Sequence, residues 1–225
     1  MLFVLKPVTD QQEQNKVFDY LEAYIRRRMV CHSNTKNYNQ LFGERLISNH
    51  ILTKAELKNF IDKRSDKVNY MPSDSELKDG FNQSKLINKQ ATGILYFIES
   101  KIRNRAKHST SILGLGRYSL EHIMPKKWEN NWGQLANQED KINRNRKLLT
   151  LGNLTIITAS LNSSIRDGDW NVKKAGKTNK HGLNQYASGL DTFSQYLTRA
   201  TWDEQAISQR AEFLYDQAAT VWSDK

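Results

Sequence analysis

Four polar residues in the middle of the chain have the types and spacing of a hydrolytic centre. Glu121 and His122 are adjacent, and Asn162 lies nine residues after Asn153. An imidazole, a carboxylate and a carboxamide oxygen converging on one small volume suit metal-assisted hydrolysis of a phosphodiester. Oxygen ligands hold a hard cation such as Mg²⁺, and few protein ligands leave room for waters and a substrate phosphate. The cation stabilises charge on the phosphate and on the leaving oxygen. A histidine neutral near pH 7 takes the proton from the attacking water. Each piece alone has a plainer meaning. A single strand histidine is more often structural, and Gly152-Asn153-Leu154 is simply a turn before a strand.

For these groups to meet, the chain from Tyr118 to Asp167 must fold as strand, long connection, strand and helix. Tyr118 to Pro125 reads as a short strand stopped by Pro125, because proline lacks an N–H and fixes its own φ. The Gly152-Asn153 turn leads into the β-branched run Thr155-Ile156-Ile157-Thr158, a second strand. Ser160 is placed to cap a helix opening with Leu161 and Asn162. His122 then ends the first strand and Asn162 sits in the first helical turn. Asp167 and Asp169 are second-choice metal carboxylates, for the case in which Glu121 points away. Trp128 and Trp132 in the long connection read as buried anchors rather than base-stacking platforms. His32, His50, His108 and His181 lack metal-ligand spacing. Ala175-Gly176-Lys177-Thr178 has the tail of a phosphate-binding loop, but Asn171 stands where its first glycine is required.

Helical patterns surround this segment. Val17, Phe18, Leu21, Tyr24 and Ile25 recur at helical steps over residues 10–31, with Arg26, Arg27 and Arg28 read as helix-end charge. Shorter helices are expected over 37–47, 54–64 and 74–81, with Thr53 and Glu56 at capping-box spacing and a loop at 69–75. A longer helix is expected over 86–106, with Ile87, Ala91, Ile94, Leu95, Ile98 and Ile102 on one face. It runs into the basic residues Lys101, Arg103, Arg105 and Lys107. A Ser- and Gly-rich stretch then puts a boundary near residue 110. Ile207, Ala211, Leu214, Ala218 and Trp222 mark a closing helix, with Trp202 just ahead of it.

The chain has 225 residues, 34 Lys and Arg against 24 Asp and Glu, and a net charge of +10. Residues 101–180 alone hold 16 basic and 6 acidic side chains, which accounts for the whole excess. A surplus so localised is the footprint of a phosphate-backbone binder. The competing meaning is a solvated basic face. No apolar run approaches the roughly 18–20 residues of a membrane-spanning helix. The apolar run Leu2–Leu5 ends at Lys6, short of the about 7–15 residues of a secretory signal. A lone cysteine, Cys31, excludes an internal disulfide framework and a Cys-rich zinc site, and fits a reducing cytoplasm.

Glu121-His122-Ile123-Met124-Pro125, then Gly152-Asn153-Leu154-Thr155, then Leu161-Asn162 resembles the HNH (His-Me finger) nuclease motif. In particular the chain is similar to the carboxy-terminal nuclease domain of GmrSD-type modification-dependent restriction enzymes and to SspE-type phosphorothioate-sensing nucleases. Trp170 with Lys173, the Trp202–Trp222 tail and the Leu21–Cys31 segment extend the resemblance over most of the chain. It implies a mainly α protein with a small ββα-metal nuclease core flanked by helices. The implied domains are a helical subdomain at 1–110, the nuclease core at 111–180 and carboxy-terminal helices at 181–225. The resemblance makes His122 the general base, Glu121 and Asn162 ligands of Mg²⁺ or Mn²⁺, and Asn153 a brace around the histidine. Lys173 is a candidate phosphate contact, and Lys126, Lys127, Arg144, Arg146, Lys147, Arg166 and Lys174 are further candidates for holding DNA. The implied partners are DNA, phage DNA above all, and an upstream sensor or NTPase domain of the same protein. The implied role is nicking or cleaving invading DNA in the bacterial cytoplasm. Two other classes stay open: a non-catalytic DNA-binding module with a degenerate site, and a helical protein-docking domain.

Overall fold

In a computed structural model of the chain, residues 7–63, 68–105, 112–186 and 190–223 are described. They are mainly helical, with two small antiparallel sheets. The chain divides into two compact units, Met1–Leu77 with Ala219–Lys225, and Lys78–Ala218. The boundary expected near residue 110, and Lys107 with it, lies outside the described residues.

The smaller unit is built on α1 (Gln11–Val30), whose Asp10 cap accepts from the Gln12 N–H. Val17, Tyr20 and Tyr24 bury against Leu41, Leu46, Leu57 and Ile61, with Phe18, Leu21 and Ile25 packed around them. The segment expected to be helical at 37–47 is a wide π-type turn, Asn39–Arg45, running into Leu46–Ser48. Helix α2 (Lys54–Asp62) starts with the complete Thr53–Glu56 capping box. The arginine run departs from the sequence expectation. Arg27 and Arg28 are fully buried rather than solvated at a helix end. Arg27 donates to the carbonyls of Pro72 and Trp222 at 2.6 and 2.7 Å and pairs with Asp74. Arg28 donates to the carbonyls of Asn34, Val68 and Tyr70. A planar guanidinium with five donors can satisfy loop carbonyls that have no strand or helix partner.

The division between units falls inside α3 (Asp74–Gln83). In the larger unit, α4 (Asn88–Arg105) packs on both strands of the central sheet. Its buried face is Ala91, Ile94, Leu95 and Ile98, whereas Ile87 precedes the helix and is 64% exposed. Strand β1 (Tyr118–His122) pairs antiparallel with β2 (Leu154–Thr158), placing Glu121 opposite Thr155 and His122 opposite Leu154. The long connection contains α5 (Gln138–Lys147), capped by Asn137 through the Asp140 N–H. After β2 come α6 (Ala159–Ile165), α7 (Trp170–Ala175) and a hairpin of β3 (Gly176–Lys177) and β4 (Lys180–His181). The rejected phosphate-loop tail is therefore the start of a hairpin. A short helix α8 (Leu183–Tyr186) and the long α9 (Glu204–Ala219) follow. Trp170, Phe193, Tyr196 and Trp202 form an aromatic cluster with centroids 5.5 to 6.5 Å apart. No helix among the described residues is long and apolar enough to cross a membrane.

Arg210 ties α9 to the sheet. It is completely buried and donates to the carbonyls of Leu151, Gly152, Leu154 and Thr192, with Phe193 stacked 5.0 Å away. Burial pulls its pKa down to about 10, still far above neutrality. Arg210→Ala strands several buried carbonyls and opens a cavity, and should cost about 3 kcal/mol or more. Urea denaturation followed by circular dichroism checks this, and an unchanged midpoint would refute the role.

Candidate functional site

The central sheet presents its residues alternately to two sides, and β1 shows this at its end. Glu121 is buried at 6% exposure, while Leu120 and His122 are half-buried. Pro125 follows the strand, as expected. Asn153 closes the turn before β2 and has no exposed surface. Its Oδ1 accepts from the Met124 N–H at 2.9 Å and from Trp202 Nε1 at 3.0 Å. Its Nδ2 donates to the carbonyls of Met124 and Leu148 at 2.8 and 3.0 Å. The whole capacity of the carboxamide is thus used inside the protein. Asn153 braces the exit of β1 and does not line the cleft described next.

Helix α6 begins two residues earlier than the Ser160 cap would require. Thr158 is the cap, accepting from the Leu161 N–H at 3.3 Å, and Ser160 already lies in the first turn. Asn162 Nδ2 donates to Ser119 Oγ and to the Leu120 carbonyl, both at 3.1 Å. Its two amide protons are then committed to β1, and Oδ1 is left as the unused acceptor.

Glu121, His122 and Asn162 line one cleft of about 400 Å³. Lys126, Lys127 and Arg166 supply positive charge around it, and Asp167 and Asn88 complete its polar lining. Nothing in the sequence flags Asn88, the first residue of α4. Burial, reinforced by the Lys126 and Lys173 ammonium groups, pulls the His122 pKa down to about 4. The imidazole is therefore neutral at pH 7, the state in which it accepts a proton.

Three other expected phosphate contacts are occupied elsewhere. Lys173 is fully buried, ion-paired with Glu121 and donating to the His122 carbonyl at 2.9 Å. It supports the two residues from behind rather than facing a ligand. Arg144 is buried, pairs with Glu204, donates to the Gly133 carbonyl at 2.7 Å and stacks 4.6 Å over Trp128. Lys174 lies over the Trp170 ring and donates to the Arg199 carbonyl. Arg146 is exposed and Lys147 half-buried, and neither lines the cleft. Trp128 is 1% exposed, in keeping with an anchor. Asp169 caps α7 through the Val172 N–H, so of the two reserve carboxylates only Asp167 lines the cleft.

Among the described residues, no group of three or more His, Cys, Asp or Glu could hold a metal. The oxygen donors present are the Glu121 carboxylate and Asn162 Oδ1, with Asp167 on the same cleft. That set suits a hard cation which keeps most of its shell for water and phosphate. The Glu121 carboxylate is already paired with the buried Lys173 ammonium, so a cation bound there would share the carboxylate with that partner or displace it.

Residues 71–217, well over half of the chain, match the family described as GmrSD restriction endonucleases, C-terminal domain. No curated protein matches the chain significantly. The chain belongs to the GmrSD C-terminal domain family.

Burial pushes the Glu121 pKa up and the Lys173 pKa down, and each charge partly offsets the shift of the other. Lys173→Met removes the offset. Glu121 then takes up its proton more readily in the folded state than in the unfolded chain. Stability should fall as pH rises above the unfolded carboxyl value of about 4.3, by at most about 1.4 kcal/mol per pH unit. Urea midpoints between acid and neutral pH in EDTA measure this. A flat profile matching that of Lys173→Met with Glu121→Gln would refute it.

Proposed function

We propose that this domain is a divalent-metal-dependent DNA endonuclease of the HNH type, with β1, β2 and α6 as its ββα-metal core. The observation that carries the reading is the convergence of Glu121, His122 and Asn162 on one cleft rimmed by Lys126, Lys127 and Arg166. Glu121 and Asn162 would hold Mg²⁺ or Mn²⁺, which when bound stabilises charge on the phosphate and on the leaving oxygen. His122, kept neutral by burial, takes a proton from the attacking water as its oxygen bonds to phosphorus. The bond from phosphorus to the 3′ oxygen breaks, the electron pair leaves on that oxygen, and a solvent water protonates it, giving a 5′ phosphate and a 3′ hydroxyl. Asn153 is a positioning residue: it fixes Met124 and so the end of β1, on which His122 rides. Lys126, Lys127 and Arg166 hold the backbone, whose charge dominates affinity.

Membership of the family supports restriction of invading DNA in a bacterial cytoplasm as the biological setting. An upstream sensor or NTPase domain of the same protein would license the cut. One ββα site cuts one strand, so the expected elementary product is a nick.

The Lys173–Glu121 pair gives a second reading its own observation. If the ammonium holds the carboxylate permanently, the domain is a DNA-binding module with a degenerate site. Supercoiled plasmid with Mg²⁺ or Mn²⁺ separates the two. The enzyme should produce open circles, EDTA should abolish them, and His122→Ala and Asn162→Ala should slow them about 10²- to 10⁴-fold with DNA affinity nearly intact. A folded chain that binds DNA and never nicks it overturns an autonomous nuclease and leaves two readings, a cut that the upstream domain must license and a binding module with a dead site.

A further inference from the structure

Helix α6 separates two clefts, of which the nuclease reading uses one. Ser160, Ser163 and Ser164 of α6 line a second cleft of about 440 Å³, facing Lys180, His181 and Tyr186. No carboxylate lines it, whereas the first cleft contains Glu121 and Asp167. Arg166, just past the end of α6, lines both clefts. Its backbone turns sharply there, with φ of 35°, a conformation that non-glycine residues rarely adopt.

The far wall of the second cleft is well seated. Ser164 Oγ donates to the His181 carbonyl at 3.1 Å, joining β4 to α6. A Cβ at Gly182 would lie 2.3 Å from the Gly176 nitrogen and 2.4 Å from the Lys174 carbonyl oxygen. Only glycine allows the hairpin to close so tightly on the end of α7. Lys180 and His181 are therefore presented by a short, anchored hairpin. Tyr186 follows on α8 and is 47% exposed, an aromatic face left open to solvent.

A basic cleft with an exposed aromatic ring suits one ligand chemistry in particular. Cations track phosphates while the ring stacks on a base, and stacking tolerates any base because each has a π face. The shared arginine adds continuity, since a strand lying in the first cleft passes Arg166 on its way into the second.

We propose that the second cleft is a nucleotide subsite for the DNA strand whose phosphate occupies the His122 cleft. Tyr186 stacks on a base flanking the cut, and Lys180 pairs with the neighbouring phosphate. The subsite rests on the nuclease reading and adds to it the residues that seat the strand beside the reacting phosphate.

The test uses the whole chain and short single-stranded oligonucleotides carrying 2-aminopurine at successive positions, in EDTA so that nothing is cut. Stacking on Tyr186 should quench the fluorophore at one position, with quenching lost in Tyr186→Leu and kept in Tyr186→Phe. Tyr186→Leu should weaken binding about fivefold or more, the effect expected for one base–aromatic stack. Lys180→Ala should lower the salt dependence of affinity by about 0.7 in log–log slope, one phosphate contact on a single strand. In plasmid nicking with Mg²⁺, both variants should raise KM and leave kcat nearly unchanged. Circular dichroism melts confirm that each variant is folded. Normal nicking with wild-type affinity, quenching and KM in both variants would overturn the subsite while the nuclease reading stands. A chain that neither binds nor cuts DNA would overturn both.

Discussion

The position of the candidate base depends on a buried carboxamide far from it in sequence. Asn153 binds Met124, Leu148 and Trp202 at once, so the exit of β1, the end of α5 and the approach to α9 meet at one side chain. Each bond is worth about 1 kcal/mol net, but leaving such buried groups unpaired costs more. The same turn is gripped from the other side by Arg210, which takes the carbonyls of Leu151, Gly152 and Leu154. Gly152 is where α9 comes closest: a Cβ there would lie 2.1 Å from the Ile207 carbonyl oxygen. These contacts hold β2 in place, and β2 holds β1 in register. His122 thus depends for its location on residues as far along the chain as Arg210.

The basic surplus of residues 101–180 divides into two populations with different physics. Arg103, Arg144 and Lys173 are buried and paired with Glu99, Glu204 and Glu121. Burying an ion pair costs desolvation that mutual attraction repays only with good geometry and further hydrogen bonds. Those further bonds are present. Glu99, for example, also accepts the backbone N–H groups of Asp191 and Thr192 at 2.9 Å. Lys126, Lys127, Arg166 and Lys180 line open clefts instead. Net charge counted along a sequence cannot separate these populations, because burial is decided by the fold and two of the three pairs, Arg144–Glu204 and Lys173–Glu121, join residues 60 and 52 positions apart.

What was legible in the sequence follows the range of the forces involved. The long helices, the Thr53–Glu56 box, the strand stopped by Pro125 and the β-branched strand rest on local periodicity and capping, and each appears near its expected bounds. The adjacency of Glu121 and His122 and the spacing to Asn162 pointed to the residues that share a cleft. Helix α5 was hidden because nine of its ten residues are polar and it has no apolar stripe, although Asn137 and Asp140 are a readable cap. The cap of α6 was misplaced by two residues because Thr158 and Ser160 are both good caps. The burial of Arg27, Arg28 and Arg144 left no local trace, since their partners are carbonyls and carboxylates distant in sequence.

Helix α6 shows how little backbone is needed to organise such a centre. It has seven residues, too few to be stable alone, and its stability comes from the Thr158 cap, buried Leu161 and Ile165, and the bonds from Asn162 to β1. Those bonds do two things with one side chain. They fasten the helix to the strand that carries Glu121 and His122, and they orient the amide so that its oxygen is the atom left over. On the opposite side of β1, Lys173 neutralises the Glu121 carboxylate and binds the His122 carbonyl, fixing the same two residues from behind. The Glu121 carboxylate and the backbone that carries the His122 imidazole are therefore held by charge and hydrogen bonding before any ligand arrives. In the proposed nuclease, groups held in this way would need no reorganisation at the moment of reaction, where preorganisation is worth most.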